Sequence, residues 1–234
     1  MNNLKYLAGI PVSVDDIFVY PLKLREIAEL GEYDYQSLLN LLTFNPEDKL
    51  VEHKFKDTST FEIIIANLFR GSEDIIDLLQ QAFAVFFKSE ASVDEQNGRI
   101  ILDNIKSKNY LTQENYEQIK IVLLEMNCIT KDEKKEYNPK GLKAREIIEK
   151  MKKGKERLQS NNVPLTLFDL VSIYATHGKS DITTVWEYTI YQFNDQFQRM
   201  RMFDNCQLSN QINVQALVNG GKDIKFEDYM KKLK

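Results

Sequence analysis

Four charged side chains in PEDKLVEHK (46–54), namely Glu47, Asp48, Glu52 and Lys54, come nearest to a catalytic set in this chain. Two-metal phosphodiester cleavage uses clustered carboxylates to hold divalent cations, with a lysine beside them to activate water. Those acids must converge from adjacent strand ends, and the residues flanking 46–54 show no strand pair. A small metal-dependent nuclease is therefore the last of three readings. His53 and His177 are the two histidines, far apart and without a Cys or second His at ligand spacing. Neither a CxxC nor an HExxH occurs. Cys128 and Cys206 have no neighbouring histidine in sequence, and there is no GxSxG elbow. The expectation is a protein that is not an enzyme, with no cofactor and no metal.

The densest run of large side chains is VWEYTIYQFNDQFQRMRMF (185–203), which holds the single tryptophan. Base stacking over a basic groove would use its aromatics with Arg199 and Arg201, but Glu187, Asp195 and Asp204 dilute the positive field. Ile182, Val185, Trp186, Thr189, Ile190, Phe193 and Phe197 recur at steps of three and four. That spacing predicts one amphipathic helix beginning at Ser180 or Asp181, with its aromatic stripe packed. Asp195 and Arg199 stand four apart, the spacing of a helical ion pair. A second reading makes the same run a partner-binding face. Trp186, Tyr188, Tyr191, Phe193, Phe197, Met200, Met202 and Phe203 would then offer a broad and adaptable contact area, provided they are exposed.

The elements that carry these residues are mostly helical by pattern. IPVSVDDIFVYPL (10–22) alternates around Asp15–Asp16 and predicts a short hairpin or extended arm. Helices are predicted over Leu22–Leu30, stopped by Gly31, and over 32–44, ended by Asn45–Pro46. Thr58 or Ser59 caps FEIIIANLFRG, with Glu62 three residues after Ser59 completing a capping-box pattern, and Ser72 is the expected cap of EDIIDLLQQAFAVFFK. SEASVDEQNGR reads as a polar loop, with Ile100–Ile105 open between a short strand and a helical turn. Thr112 opens a helix through YEQIKIVLLEMNC, and Thr166 with Asp169 opens LFDLVSIYATHG. The stretch from Asn205 is more polar, Gly220–Gly221 interrupts it, and a last helix is expected near FEDYMKKLK.

The fold expected is mainly α: a helical N-terminal domain with a small β element over 1–127, a charged linker helix over 128–162, and a helical C-terminal unit over 163–234. Residues 129–160 carry 11 Lys or Arg against 6 Asp or Glu. This segment reads as a solvated linker helix, or else as a docking site for an acidic partner or RNA. Glu146, Glu149 and Glu156 pair with nearby lysines and weaken the nucleic-acid alternative. A formal charge of −4 gives no reason to expect binding to bulk nucleic acid or an acidic membrane. No window approaches the length of an apolar membrane span, and the N-terminus lacks the apolar core of a leader. Two unclustered cysteines fit a reducing compartment.

LTLFDLVSIYATHGKSDI followed by VWEYTIYQFNDQFQR resembles proteins encoded in the tail modules of long-tailed phages of Gram-positive hosts. The opening LAGIPVSVDDIFVYPLKLREIAELGEYDYQSLLNLL resembles the starts of the same proteins. The resemblance implies a tail assembly chaperone, mostly helical and acting in the bacterial host cytoplasm. It would hold the tape-measure protein soluble while tail tube subunits polymerise around it. Helix-in-groove binding, or self-association through the same aromatic stripe, is the expected mode of contact. Such proteins often occur in a short form and a longer frameshifted form. The resemblance carries no active-site motif. The alternatives are a nucleic-acid-binding or regulatory phage protein acting through 129–160, and the nuclease.

Overall fold

Asp15 and Asp16 both take positive φ, 47° and 61°, as a two-residue type I′ loop demands. They join β1 (Val12–Val14) to β2 (Ile17–Val19) in an antiparallel hairpin with Val12 opposite Val19 and Val14 opposite Ile17. Val12, Ile17 and Val19 are fully buried, while Phe18 on the other face is exposed, the alternation a half-covered strand pair requires. The computed structural model describes residues 3–46, 58–103, 110–129, 165–178, 180–219, 228 and 230. The segments PEDKLVEHK beyond Pro46, the basic run 130–164 and most of FEDYMKKLK lie outside the described residues, so the readings placed on them do too.

Helices dominate, and most start where the sequence signals placed them. The hairpin is preceded by α1 (Asn3–Ala8) and followed by α2 (Leu24–Leu30) and α3 (Glu32–Thr43). Gly31 separates α2 from α3 at φ 96°, in the region glycine enters without steric cost. Ser59 and Glu62 close the expected capping box at the start of α4 (Thr60–Arg70). The next helix, α5 (Glu73–Phe87), follows Ser72, whose side chain makes no cap bond. Thr112 and Asn115 exchange cap bonds ahead of α6 (Gln113–Met126). The C-terminal elements are α7 (Leu167–Gly178), the single turn α8 (Ile182–Val185) and the long α9 (Ile190–Val218). The protein is mainly α with a small N-terminal β element.

Two expectations need correction. SEASVDEQNGR is not simply a loop: β3 (Ala91–Asp94) and β4 (Arg99–Leu102) pair antiparallel, with Asp94 opposite Arg99. Asp94 draws the connection tight by accepting from Asn97 and from Arg99 Nε at 2.6 Å, and Gly98 supplies a left-handed φ of 59°. That hairpin also resolves the ambiguous Ile100 as strand. Second, the predicted single helix through 185–203 is broken, because α8 ends at Val185 and α9 starts only at Ile190. The polar stretch from Asn205 is helical up to the expected interruption near Gly220. It extends α9 to 29 residues, about 43 Å at 1.5 Å per residue.

The core runs through Phe83, Phe86 and Phe87 of α5, Leu38 and Leu42 of α3, and Tyr116 and Leu123 of α6, with the first hairpin against them. Val171 and Tyr174 of α7 and Ile190 and Phe193 of α9 belong to the same cluster. Lys120 is buried on α6, and its ammonium donates to the Phe44 carbonyl and Thr60 Oγ1, both at 2.7 Å. That tie holds the end of α3 to the start of α4.

The start of α9 depends on a cap that is itself buried: Thr189 Oγ1 accepts from the Gln192 N–H, and Gln192 Oε1 accepts from the Thr189 N–H at 2.8 Å. Replacing Thr189 by Ala should cost about 1–2 kcal/mol, measured as a lower urea midpoint at unchanged m-value.

Candidate protein-interaction surface

The break before α9 has a specific cause. The first turn of a helix leaves its N–H groups without intrahelical acceptors, and here two helix starts face each other. Leu24 and Arg25, the first residues of α2, donate to the carbonyls of Tyr188 (2.8 Å) and Trp186 (3.0 Å). In return Ile190, first in α9, donates to the Leu22 carbonyl at 3.3 Å. Lys23 and Thr189 form the bridge between the two segments. The carbonyls of Trp186 and Tyr188 are thus directed out to α2, and residues 186–189 form a turn instead of continuing α8. Glu187 marks the outside of this joint, 2.9 Å from Lys23 Nζ and 2.7 Å from Arg25. The hydrogen bond from Lys23, then the charges of Arg25 and Lys23, hold its carboxyl below the usual range.

The turn disposes the aromatic run in a way a continuous helix would not. Phe193 is fully buried; Trp186, Tyr188, Tyr191, Phe197 and Met200 are partly buried and pack against the core. Tyr174 on α7 meets Phe193 edge-on at 5.7 Å and Tyr188 at 6.5 Å, and Phe197 stacks beyond Phe193 at 5.8 Å. Tyr191 turns the other way, onto Tyr6 of α1 at 5.3 Å. There Gly9 comes so close to Gln192 that an added Cβ would lie 3.0 Å from its Nε2, and Gln192 donates to the Leu7 carbonyl. Met202 is half-buried and Phe203 is 39% exposed. Arg199 Nε donates to Asp195 at 3.0 Å, so the expected i,i+4 pair is present.

The aromatic face therefore splits. Its N-terminal members build the core, and Met200 and Phe203 reach an open groove of about 430 Å³ between the end of α7 and the middle of α9. Tyr174, Ser180, Arg199 and Met230 complete much of its lining. Beside it, His177 Nε2 lies 2.7 Å from the Asp204 carboxylate, tying α7 to α9. A hydrogen bond to its own main-chain carbonyl, followed by the Asp204 hydrogen bond and charge, raises the His177 pKa. A second groove, of about 330 Å³, lies where α3, α7 and α9 meet, with Gln36, Asn40 and Asn194 among its polar lining. At its edge Glu32 accepts from the Leu167 N–H at 3.1 Å, satisfying an orphan donor of α7.

Neither groove holds a reactive constellation. Among the described residues, no cluster of His, Cys, Asp and Glu could hold a metal ion, and every buried side-chain N or O atom has a hydrogen-bond partner. Cys128 and Cys206 are not disulfide-bonded; burial pushes the Cys128 thiol up to about 11, which suppresses the nucleophilic thiolate. No described helix is long and apolar enough to cross a membrane.

Residues 152–234 match the family model of the YomV second domain. This is a phage-derived family. The matched region contains α7, α8 and α9, so it includes both walls of the first groove. No curated protein matches the chain, and no solved structure does.

Two signals in the sequence would have located this surface more sharply. Thr189-x-x-Gln192 is itself a capping box, and it marks the true start of α9. Arg199 and Met200 lie four and three residues before Phe203, one helical turn away, so they share a wall with it only once that start is fixed.

Truncating the two ends of the stripe should separate their roles. Phe193→Ala should cost about 3–5 kcal/mol, and Phe203→Ala under about 1 kcal/mol, both read by chemical denaturation. The His177–Asp204 tie should show a pH signature. Its folded-state pKa is raised, so its contribution is complete below the ordinary value of 6.5 and is lost as pH rises through the folded-state value. His177→Gln should flatten the fall in stability across that interval, measured by urea titrations at successive pH values.

Proposed function

We propose that this protein is a non-enzymatic phage tail assembly chaperone, binding a helix of the tape-measure protein in the groove between α7 and α9. The observation that carries the reading is the groove itself: Tyr174, Met200, Phe203 and Met230 line an open channel beside a rigid aromatic core. Methionine and aromatic side chains give a helical client large contact area without demanding one fixed shape. The match of 152–234 to a phage-derived family supports a phage context for the same part of the chain. The sequence resemblance to tail-module proteins supports the particular role. In this reading the protein acts in the host cytoplasm before the tail is complete, and tail tube subunits displace it from its client.

The test is a titration of the purified chain with overlapping tape-measure fragments by isothermal calorimetry. One fragment should bind, and Phe203→Asp should weaken it tenfold or more, while Ile121→Asp, on the exposed side of α6, leaves it unchanged. Absence of binding by every fragment, or a Phe203→Asp variant that binds as the parent does, would contradict the proposal.

A further inference from the structure

The groove between α7 and α9 is not uniformly apolar. Arg199 is the one charged side chain in its lining among the described residues, and no Asp or Glu stands beside it there. Its guanidinium is half-exposed but held in place. Asp195, one helical turn back, accepts from Arg199 Nε at 3.0 Å, and the same Oδ2 accepts from Gln196 Nε2 at 3.3 Å. The Asp195 side chain is only 12% exposed, so the carboxylate that holds the fork is itself held. Asp204, the next acid along α9, is engaged by His177 across to α7.

Those bonds decide what chemistry an occupant of the groove must have. A guanidinium presents its N–H donors in a planar fork, and the Asp195 contact takes up Nε. A wholly apolar helix laid over Met200 and Phe203 would draw the remaining donors out of water without giving them an acceptor, which is costly. The main-chain carbonyls of a helical client are consumed within its own helix, and a client lysine or arginine would be repelled. A carboxylate instead satisfies the fork through two parallel bonds. With Nε already anchored, little freedom is lost when that carboxylate arrives.

We propose that Arg199 selects the client: the helix bound between α7 and α9 carries an Asp or Glu within its apolar face. That carboxylate pairs with the Arg199 guanidinium while its apolar neighbours meet Met200 and Phe203. Asp195 is a positioning residue that aims the fork. This selection deepens the chaperone reading and rests on it, because it requires a tape-measure helix seated in this groove.

The test is a double-mutant cycle by calorimetry, using the full chain and the tape-measure fragment that binds it, at low and high salt. Each Asp and Glu of the fragment is replaced in turn by Asn or Gln. One replacement should weaken binding about tenfold and remove part of its salt dependence. Arg199→Gln should weaken the unaltered fragment by about as much, and should leave the affinity of that one altered fragment nearly unchanged. Asp195→Asn should likewise weaken the unaltered fragment and spare the altered one. Arg199→Lys should keep the salt dependence but recover only part of the affinity. An Arg199→Gln variant that binds the unaltered fragment as the parent does, or that weakens every altered fragment equally, would overturn the selection. Phe203→Asp keeps the two claims apart. Binding that is lost with Phe203→Asp but indifferent to Arg199→Gln overturns the selection and leaves the groove as the client's seat; should no fragment bind, both fall.

Discussion

The placement of α9, and of the groove it lines with α7, depends on two helix starts that cap each other. The N-termini of α2 and α9 each leave main-chain donors without partners, and each obtains acceptors from the segment preceding the other. Buried main-chain donors left without partners would cost about 1–3 kcal/mol each, so three such bonds form a strong constraint on where the chain turns. The Lys23 and Arg25 contacts to Glu187 lie at the surface, where ion pairs add little stability on their own. Their role is orientation of the turn more than cohesion. Because the turn is fixed, α9 leaves the body along one line, with Phe193 inward and Phe203 at the groove.

That geometry divides a single helix into three parts with different surroundings. The first two turns of α9 are core: Ile190 and Phe193 are buried, and Tyr174 packs across them. The middle forms a wall with α7, anchored by His177 to Asp204 and by the internal Asp195–Arg199 pair. The last turns lose all charge and expose aliphatic residues. A helix that serves only to fill a core has no need of so long an extension, and the change in composition follows the change in surroundings. Aromatic residues stay where the body can cover them, and amides take over where it does not.

Much of this was legible from residue patterns, and the parts that were not share a physical reason. Ser59–Glu62, Thr112–Asn115 and Thr166–Asp169 announce helix starts through bonds made within three residues, so the sequence contains both partners. Asp15–Asp16 likewise marks its own turn. The break at Trp186–Thr189 depends instead on Leu22–Arg25, more than 150 residues away, and the apolar spacing of 182–197 runs through the break undisturbed. Periodicity records which residues are apolar; it does not record which carbonyls another segment will claim. The second hairpin was missed for a different reason. Asn97–Gly98 is a strong turn signal, but the polar residues around it hid the short alternation of Ala91–Asp94. For the candidate surface, the pattern identified Met200 and Phe203 along with the half-buried Met202 and five residues that the fold uses mainly for packing. Only the tertiary arrangement distinguishes them.

The central claim is that reciprocal capping between Leu22–Arg25 and Trp186–Ile190 holds α9 in place. Native-state hydrogen exchange read by NMR tests it directly, because the amides of Leu24, Arg25 and Ile190 report the three bonds individually. The account predicts that all three exchange as slowly as core amides such as Leu123 and Phe193, and open with them in one cooperative unit. Fast exchange of Leu24, Arg25 and Ile190 while Leu123 and Phe193 remain protected would contradict it.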